Sequence, residues 1–250
     1  MSVIANQNIH RDLIRDEATL EKGFEMCEGN DGASDNTVNW FFPSWAAEGA
    51  NNKPIMVLDT DSALGRYNEH TKELGLKDLA RVHGHLCDGL VIAYVFLKAA
   101  FDELFEGGVV DRTDLRVVTK NSPCMVDTAG MMSGARINFQ TLRIQAGLEN
   151  VFIVQRISTS RTVEVRMKDG VFPKEIAGLA AEIRSARAKG ETVTAKEIDR
   201  IEELHNDLSR AMLNEPLDSL LEINELDGYK FHFNDLYVGR GDVINKDMPR

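Results

Sequence analysis

The chain has no apolar run long enough to cross a membrane. Its longest uncharged apolar stretch, Leu90 to Leu97, falls far short of the roughly 18 residues a spanning helix needs. Basic residues are outnumbered, 29 against 40 acidic ones, for a formal net charge of -11. Binding to phosphate backbones requires a basic face, so nucleic acid is excluded as the main partner, although a local basic pocket is not. The three cysteines are widely spaced and make no disulfide framework. Residues 1–10 lack the charged-then-apolar layout of a secretory peptide, and with the cysteine usage this leads to the expectation of a reducing cytoplasm. There is no Gly-rich phosphate loop, nucleophile elbow or dinucleotide fingerprint, so a hydrolase or dehydrogenase with its own organic cofactor has no support.

What the chain does have is normal globular composition, 43% hydrophobic and 28% charged over 250 residues. That is enough for one large domain, or for one domain with a substantial appendage. Against this background Arg81-Val82-His83-Gly84-His85-Leu86-Cys87-Asp88-Gly89 stands out, because ordinary packing does not call for two imidazoles, a thiol and a carboxylate in six residues. Leu90 to Leu97 and the continuation to Phe105 are apolar on every side, rich in helix formers and without turn residues, which predicts a buried helix opened by Asp88 or its neighbours. Cys87 then lies at the positive end of that helix, where the thiolate is favoured. In an extended approach to the helix, His83 and His85 face the same way, and Gly84 lets the backbone come close.

A second thiol is available in Cys124, after a strand predicted over Leu115 to Thr119 and just ahead of a small-residue helix that includes Asp127. Imidazole and thiolate ligands suit zinc first, and admit nickel, copper or iron. Elsewhere, Asn39 to Trp45 puts four aromatics into six positions. This segment reads as a loop anchored on the core, and in functional terms as the wall or lid of a small-molecule pocket. Lys53 to Asp59 reads as a strand ending in Asp59-Thr60-Asp61-Ser62, turn and cap chemistry from which a helix is expected to run toward Glu73.

The segment from about Leu76 to Val165 resembles the E-subunit family of formylmethanofuran dehydrogenase, marked by His-Gly-His-Leu-Cys-Pro-Gly before a hydrophobic helix. A Cys-x-x-Asp-Ala element is matched by Cys124 to Ala129, and Pro216 to Leu226 looks like the family's closing segment. Three departures are visible. The proline after the cysteine is Asp88, a further cysteine of many members is Ala135, and the paired Cys-x-x-Cys ribbon of some members is absent. The resemblance implies a metal site at His83, His85, Cys87 and Cys124 and leaves open which histidine is nearer the metal. It also implies an α+β core with a mixed or antiparallel sheet like that of glyceraldehyde-phosphate dehydrogenase catalytic domains, a homodimer, and association with a larger redox enzyme.

Two functional classes follow. In an enzyme acting on a small anionic substrate, Asp88 or Asp127 serves as acid or base, Lys120 or Arg136 binds the anion, and the aromatic segment with Trp40 and Trp45 closes over it. In an accessory protein the same residues handle or hold the metal.

The remaining elements complete the expected organisation. Val151 to Ile157 and Thr162 to Met167 read as a hairpin, the second strand with one wet face. Pro173 to Ala188 and a capping box at Thr194 to Glu197 open two antiparallel helices. Tyr229 to Phe233 alternates like a short strand, and Val238 to Arg250 reads as a tail. Arg11 to Cys27 reads as an amphipathic helix with Cys27 as a small buried hydrophobe, and His70 and His205 as surface residues. The expected divisions are an N-terminal extension (1–50), a metal-binding core (51–172), and a helical hairpin with tail (173–250).

Overall fold

The computed structural model describes residues 40–62 and 65–232. The expected helix over Arg11 to Cys27 and the tail from Val238 lie outside them. In chain order the elements are α1 (Ser44–Ala47), β1 (Ile55–Leu58), β2 (Lys72–Leu74), α2 (Leu76–His83), α3 (Asp88–Leu104), β3 (Val109–Asp111), β4 (Leu115–Thr119) and α4 (Pro123–Ser133). After a 3-10 turn at Ile137–Phe139 come β5 (Leu142–Ile144), β6 (Val151–Arg156), β7 (Thr162–Met167), α5 (Lys174–Ala188), α6 (Ala195–Asn214), α7 (Leu217–Leu220) and β8 (Leu221–Glu225).

The fold is α+β, with two mixed sheets. β4, β6, β7 and β8 pair antiparallel in that order, and β5 joins the free edge of β4 in parallel. A smaller sheet has β1 at its centre, antiparallel to β2 and parallel to β3.

α3 is apolar all round because it is enclosed all round. It packs on β6 and β7 and is flanked by α2, α4 and α6. Leu90 through Leu97 are buried without exception, and Tyr94, Phe96 and Phe101 are among the largest fully enclosed side chains. Burying each such side chain contributes about 1.5–3 kcal/mol, so this helix fixes where its own N-terminus lies. The Tyr94 hydroxyl satisfies itself by donating to the Lys53 carbonyl at 2.5 Å. On the sheet, Leu115, Val117, Phe152, Val154, Val163 and Val165 belong to the α3 core. Val118, Val151 and Ile153 form a second cluster with Leu148, Leu226, Tyr229 and Phe231. β6 is therefore covered on both faces, as its unbroken apolar run requires. β7 keeps the expected polar face, where Arg166 bridges Glu164 and Glu222.

Three local expectations are corrected. No helix runs from Asp61 toward Glu73: Thr60 bridges to Tyr67, and Lys72–Leu74 is a strand on the edge of the small sheet. Asp59 is held by Arg112 at 2.5 Å and Lys72 at 3.2 Å, leaving its carboxylate committed to salt bridges. The chain after residue 173 is not helical throughout, since β8 pairs with β7 from Val163↔Glu225 to Met167↔Leu221. Tyr229 to Phe231 form no strand and instead contribute aromatic rings to the outer cluster. The hairpin β6–β7 and the Thr194 cap are as expected, with the Glu197 amide donating to the Thr194 hydroxyl at 3.3 Å.

Candidate metal centre

His83 is carried by a helix rather than by an extended segment. α2 places Leu76, Leu79 and Ala80 on its buried face and ends at His83. Gly84 then takes φ 110, a conformation that L side chains rarely adopt, and turns the chain toward Cys87. Cys87 is extended (φ -135, ψ 165) as the N-cap of α3. The Leu86 amide donates to the Phe41 carbonyl at 2.8 Å, pinning the loop against the aromatic segment. Cys124 comes from the other side of the site. It lies inside the first turn of α4, after Pro123 at its start, and not ahead of the helix.

These elements converge on a triangle. Cys87 Sγ and Cys124 Sγ are 3.5 Å apart, and His83 Nε2 lies 4.0 Å from the first and 3.7 Å from the second. A tetrahedral zinc ion with bonds of about 2.3 Å to sulfur and about 2.0–2.1 Å to nitrogen separates two sulfurs by about 3.8 Å and a sulfur from a nitrogen by about 3.6 Å. The three edges come within about 0.4 Å of those spacings. His85 is exposed, its ring 5.4 Å from that of His83, and one of its nitrogens lies within 4.8 Å of ligand atoms of both His83 and Cys87. His83, with its side chain only 7% exposed, is the more enclosed of the two histidines and stands among the sulfurs.

Asp127 occupies a different place from the one expected of an acid or base at the reacting end. His83 Nδ1 donates to Asp127 Oδ2 at 2.8 Å, which puts the proton on Nδ1 and leaves the Nε2 lone pair facing the sulfurs. Asp127 follows Cys124 three positions on in α4, so one helix face supplies both a thiol and the carboxylate that orients the imidazole.

The two thiols are not equivalent. The hydrogen bond between the two sulfurs holds Cys124 down to about 6. The same bond, with burial, pushes Cys87 well above the ordinary thiol range. A metal ion that binds both holds them as thiolates, so it must displace the Cys87 proton. Gly89 makes the approach feasible, because a Cβ there would stand 2.8 Å from Cys124 Sγ and 3.2 Å from its Cβ.

The other expected site residues are distributed unevenly. Asp88 Oδ1 faces His205 Nδ1 of α6 at 3.7 Å, so His205 is half-buried against the motif rather than solvated. Trp40 is 77% exposed and touches Phe41 edge-on, close to the motif loop. Trp45 lies instead beneath Arg210 of α6, 4.9 Å from its guanidinium. Lys120 follows β4, half-buried, and forms no ion pair among the described residues. Arg136 stacks on Phe139 beyond the C-terminal end of α4, the opposite end from Cys124. The structure does not bring it to the sulfurs. Sequence reasoning missed α2, Gly89 and the Asp88–His205 pair. The first had a signal in Gly75-Leu76-Lys77-Asp78, where the Asp78 carboxylate accepts from the Gly75 amide at 3.0 Å as in a capping box.

Fold and site together define an α+β protein carrying a His/Cys cluster that could hold a metal ion. The profile of the family described as "FmdE, Molybdenum formylmethanofuran dehydrogenase operon" matches residues 82–222, more than half of the chain. The chain belongs to the FmdE family. Among solved structures it is similar to an FmdE-like protein of the tungsten formylmethanofuran dehydrogenase type from Syntrophus aciditrophicus, at 16% identity, covering 61% of this chain and 72% of that one, with a TM-score of 0.36. No curated protein matches the chain. No helix of the described residues is long and apolar enough to cross a membrane.

Proposed function

We propose that this chain is an FmdE-type metal-binding protein that holds one transition-metal ion, zinc by ligand preference, on His83, Cys87 and Cys124, with His85 as the fourth ligand. The convergence of His83 Nε2 with two sulfurs 3.5 Å apart carries this reading. The carboxylate–imidazole bond from Asp127 supports it, since metal-ligating histidines are ordinarily oriented in this way. A bound metal would supply Lewis acidity at this surface. What the chain itself contributes is a fixed tautomer at His83, two thiols set by helix starts, and an exposed imidazole at His85.

An accessory or cofactor-handling role beside a larger redox enzyme, in the cytoplasm, agrees with the family's operon description. The position of Arg136 disfavours the catalytic alternative, in which it would bind an anionic substrate, because it lies at the far end of α4. Trp40, rather than Trp45, is the residue we assign to the wall of a small-molecule site. The dimer rests on family resemblance alone, since the apolar run of α3 and the apolar residues Met125, Ala129 and Met132 of α4 are buried within the chain. We take residues 51–172 as the portion that carries the metal, and 173–250 as an appendage whose strand β8 returns to the sheet.

Cobalt(II) substitution tests the ligand set. Two thiolates predict intense near-ultraviolet charge-transfer bands and tetrahedral visible bands. Both should weaken in Cys124→Ser and shift in His83→Ala. A spectrum without thiolate charge transfer in the wild type refutes the site.

A further inference from the structure

We infer that Cys87 and Cys124 are a reversible disulfide-forming pair, so that the site is gated by oxidation as well as by metal supply. The release of metal on oxidation rests on the metal reading above, whereas formation of the bond does not. The two Sγ atoms are 3.5 Å apart, and a disulfide bond is about 2.05 Å long, so closure requires about 1.5 Å of relative movement. Cys87 stands at the N-cap of α3 and Cys124 in the first turn of α4, so the movement falls to the two side chains. Both cysteines are partly open to solvent. Nothing intervenes on the Gly89 side, where the missing Cβ leaves the sulfurs facing each other.

The co-reactant is hydrogen peroxide. One sulfur attacks the O–O bond, hydroxide or water leaves, and a sulfenic acid forms. The second sulfur then attacks the sulfenyl sulfur, the S–O bond breaks, and a second water leaves. The two thiols lose two electrons and two protons, and the peroxide is reduced to two waters. Whichever cysteine is oxidised first, the product is the same. A disulfide removes both thiolate ligands from the metal and leaves His83 bound to Asp127. Thiol reduction by an exchange reagent restores the site.

The test uses the whole chain, metal-free and zinc-loaded, treated with hydrogen peroxide and read by intact mass and peptide mapping, with Cys124→Ser alongside. The expected result for the metal-free wild type is loss of two hydrogens and a peptide pair joined through Cys87 and Cys124, reversed by dithiothreitol. In the variant Cys87 instead stops at sulfenic or sulfinic acid. Zinc should slow the cross-link about tenfold or more, with zinc released in step with it. Separate oxidation products on Cys87 and Cys124, with no linked peptide and an unchanged circular dichroism spectrum, overturn the proposal. If the cross-link forms but zinc never binds, the metal reading falls and the disulfide stands. If zinc binds and the stripped protein gives no cross-link, the disulfide falls and the metal reading stands.

Discussion

Replacing Gly89 with alanine should separate the assembly of the metal site from the stability of the fold. The new Cβ would lie 2.8 Å from Cys124 Sγ and 3.2 Å from Cys124 Cβ, against an ordinary contact of about 3.5–4.0 Å. The sulfur must therefore retreat by roughly 0.9 Å, several times the ±0.2 Å or so that metal–ligand distances tolerate. In the metal-free protein no bond to a metal opposes the retreat, and Cys124 is only half-buried. Overpacking costs about 1–3 kcal/mol, offset by up to about 1 kcal/mol from removing a glycine near a helix start, for a net loss of about 0–3 kcal/mol. Metal affinity should fall by about 10–100-fold, or about 1.4–2.7 kcal/mol. Competition with a chromophoric chelator measures the affinity, and urea unfolding of the metal-free protein measures the stability. Affinity within a factor of about three of the wild type, in a variant of unchanged stability, would mean that Cys124 is not a ligand.

Four other predictions stand on separate observations. Gly178→Ala, on α5 where a Cβ meets nothing within 4 Å, should stabilise the fold by up to about 1 kcal/mol in the same urea assay and leave metal affinity alone. Asp127→Ala frees His83 Nδ1 and should weaken metal binding about 10–100-fold with little change in unfolding midpoint; equal affinity would deny it the orienting role. Asp114 is buried and accepts from Arg156 Nε at 3.1 Å, the Ser158 amide at 2.8 Å and the Ser158 hydroxyl at 2.5 Å, so Asp114→Ala should cost about 3 kcal/mol. A loss under about 1 kcal/mol would contradict that network. Cys124, held down to about 6, is thiolate above that pH. Its alkylation by iodoacetamide in the metal-free protein should persist toward pH 6 while that of Cys87 requires more alkaline solution, and Cys87→Ala should move the Cys124 midpoint upward.

How far the sequence discloses these features depends on the physics behind each. α3 is legible because a helix enclosed on every side must be apolar on every side, and nothing else in the chain combines that run with an acidic start. The hairpin β6–β7 and the Thr194 capping box are legible because their signals are local. β2 is not, since Lys72, Glu73 and Leu74 are largely exposed on a sheet edge, and their pairing with Ile55, Met56 and Val57 is a long-range fact. β8 follows directly on the short helix α7, and β7 decides its conformation. At the site, residue types singled out the candidate ligands, but their geometry comes from α2, which ends on His83 and makes the spacing to His85 a turn rather than a strand. Asp127 was visible as a carboxylate near Cys124. That it faces His83 Nδ1 depends on the packing of α2 on α4, which no local pattern encodes.

The central claim is that one metal ion is held jointly by the motif loop and the start of α4. Elemental analysis tests it most directly, on protein purified without added metal and without a metal-binding tag, for wild type, Cys87→Ser and Cys124→Ser. The account predicts about one zinc, nickel, copper or iron per wild-type chain, lost from both variants while their circular dichroism is unchanged. Stoichiometric metal retained in both variants, or a wild type that neither carries metal nor takes it up, would contradict it.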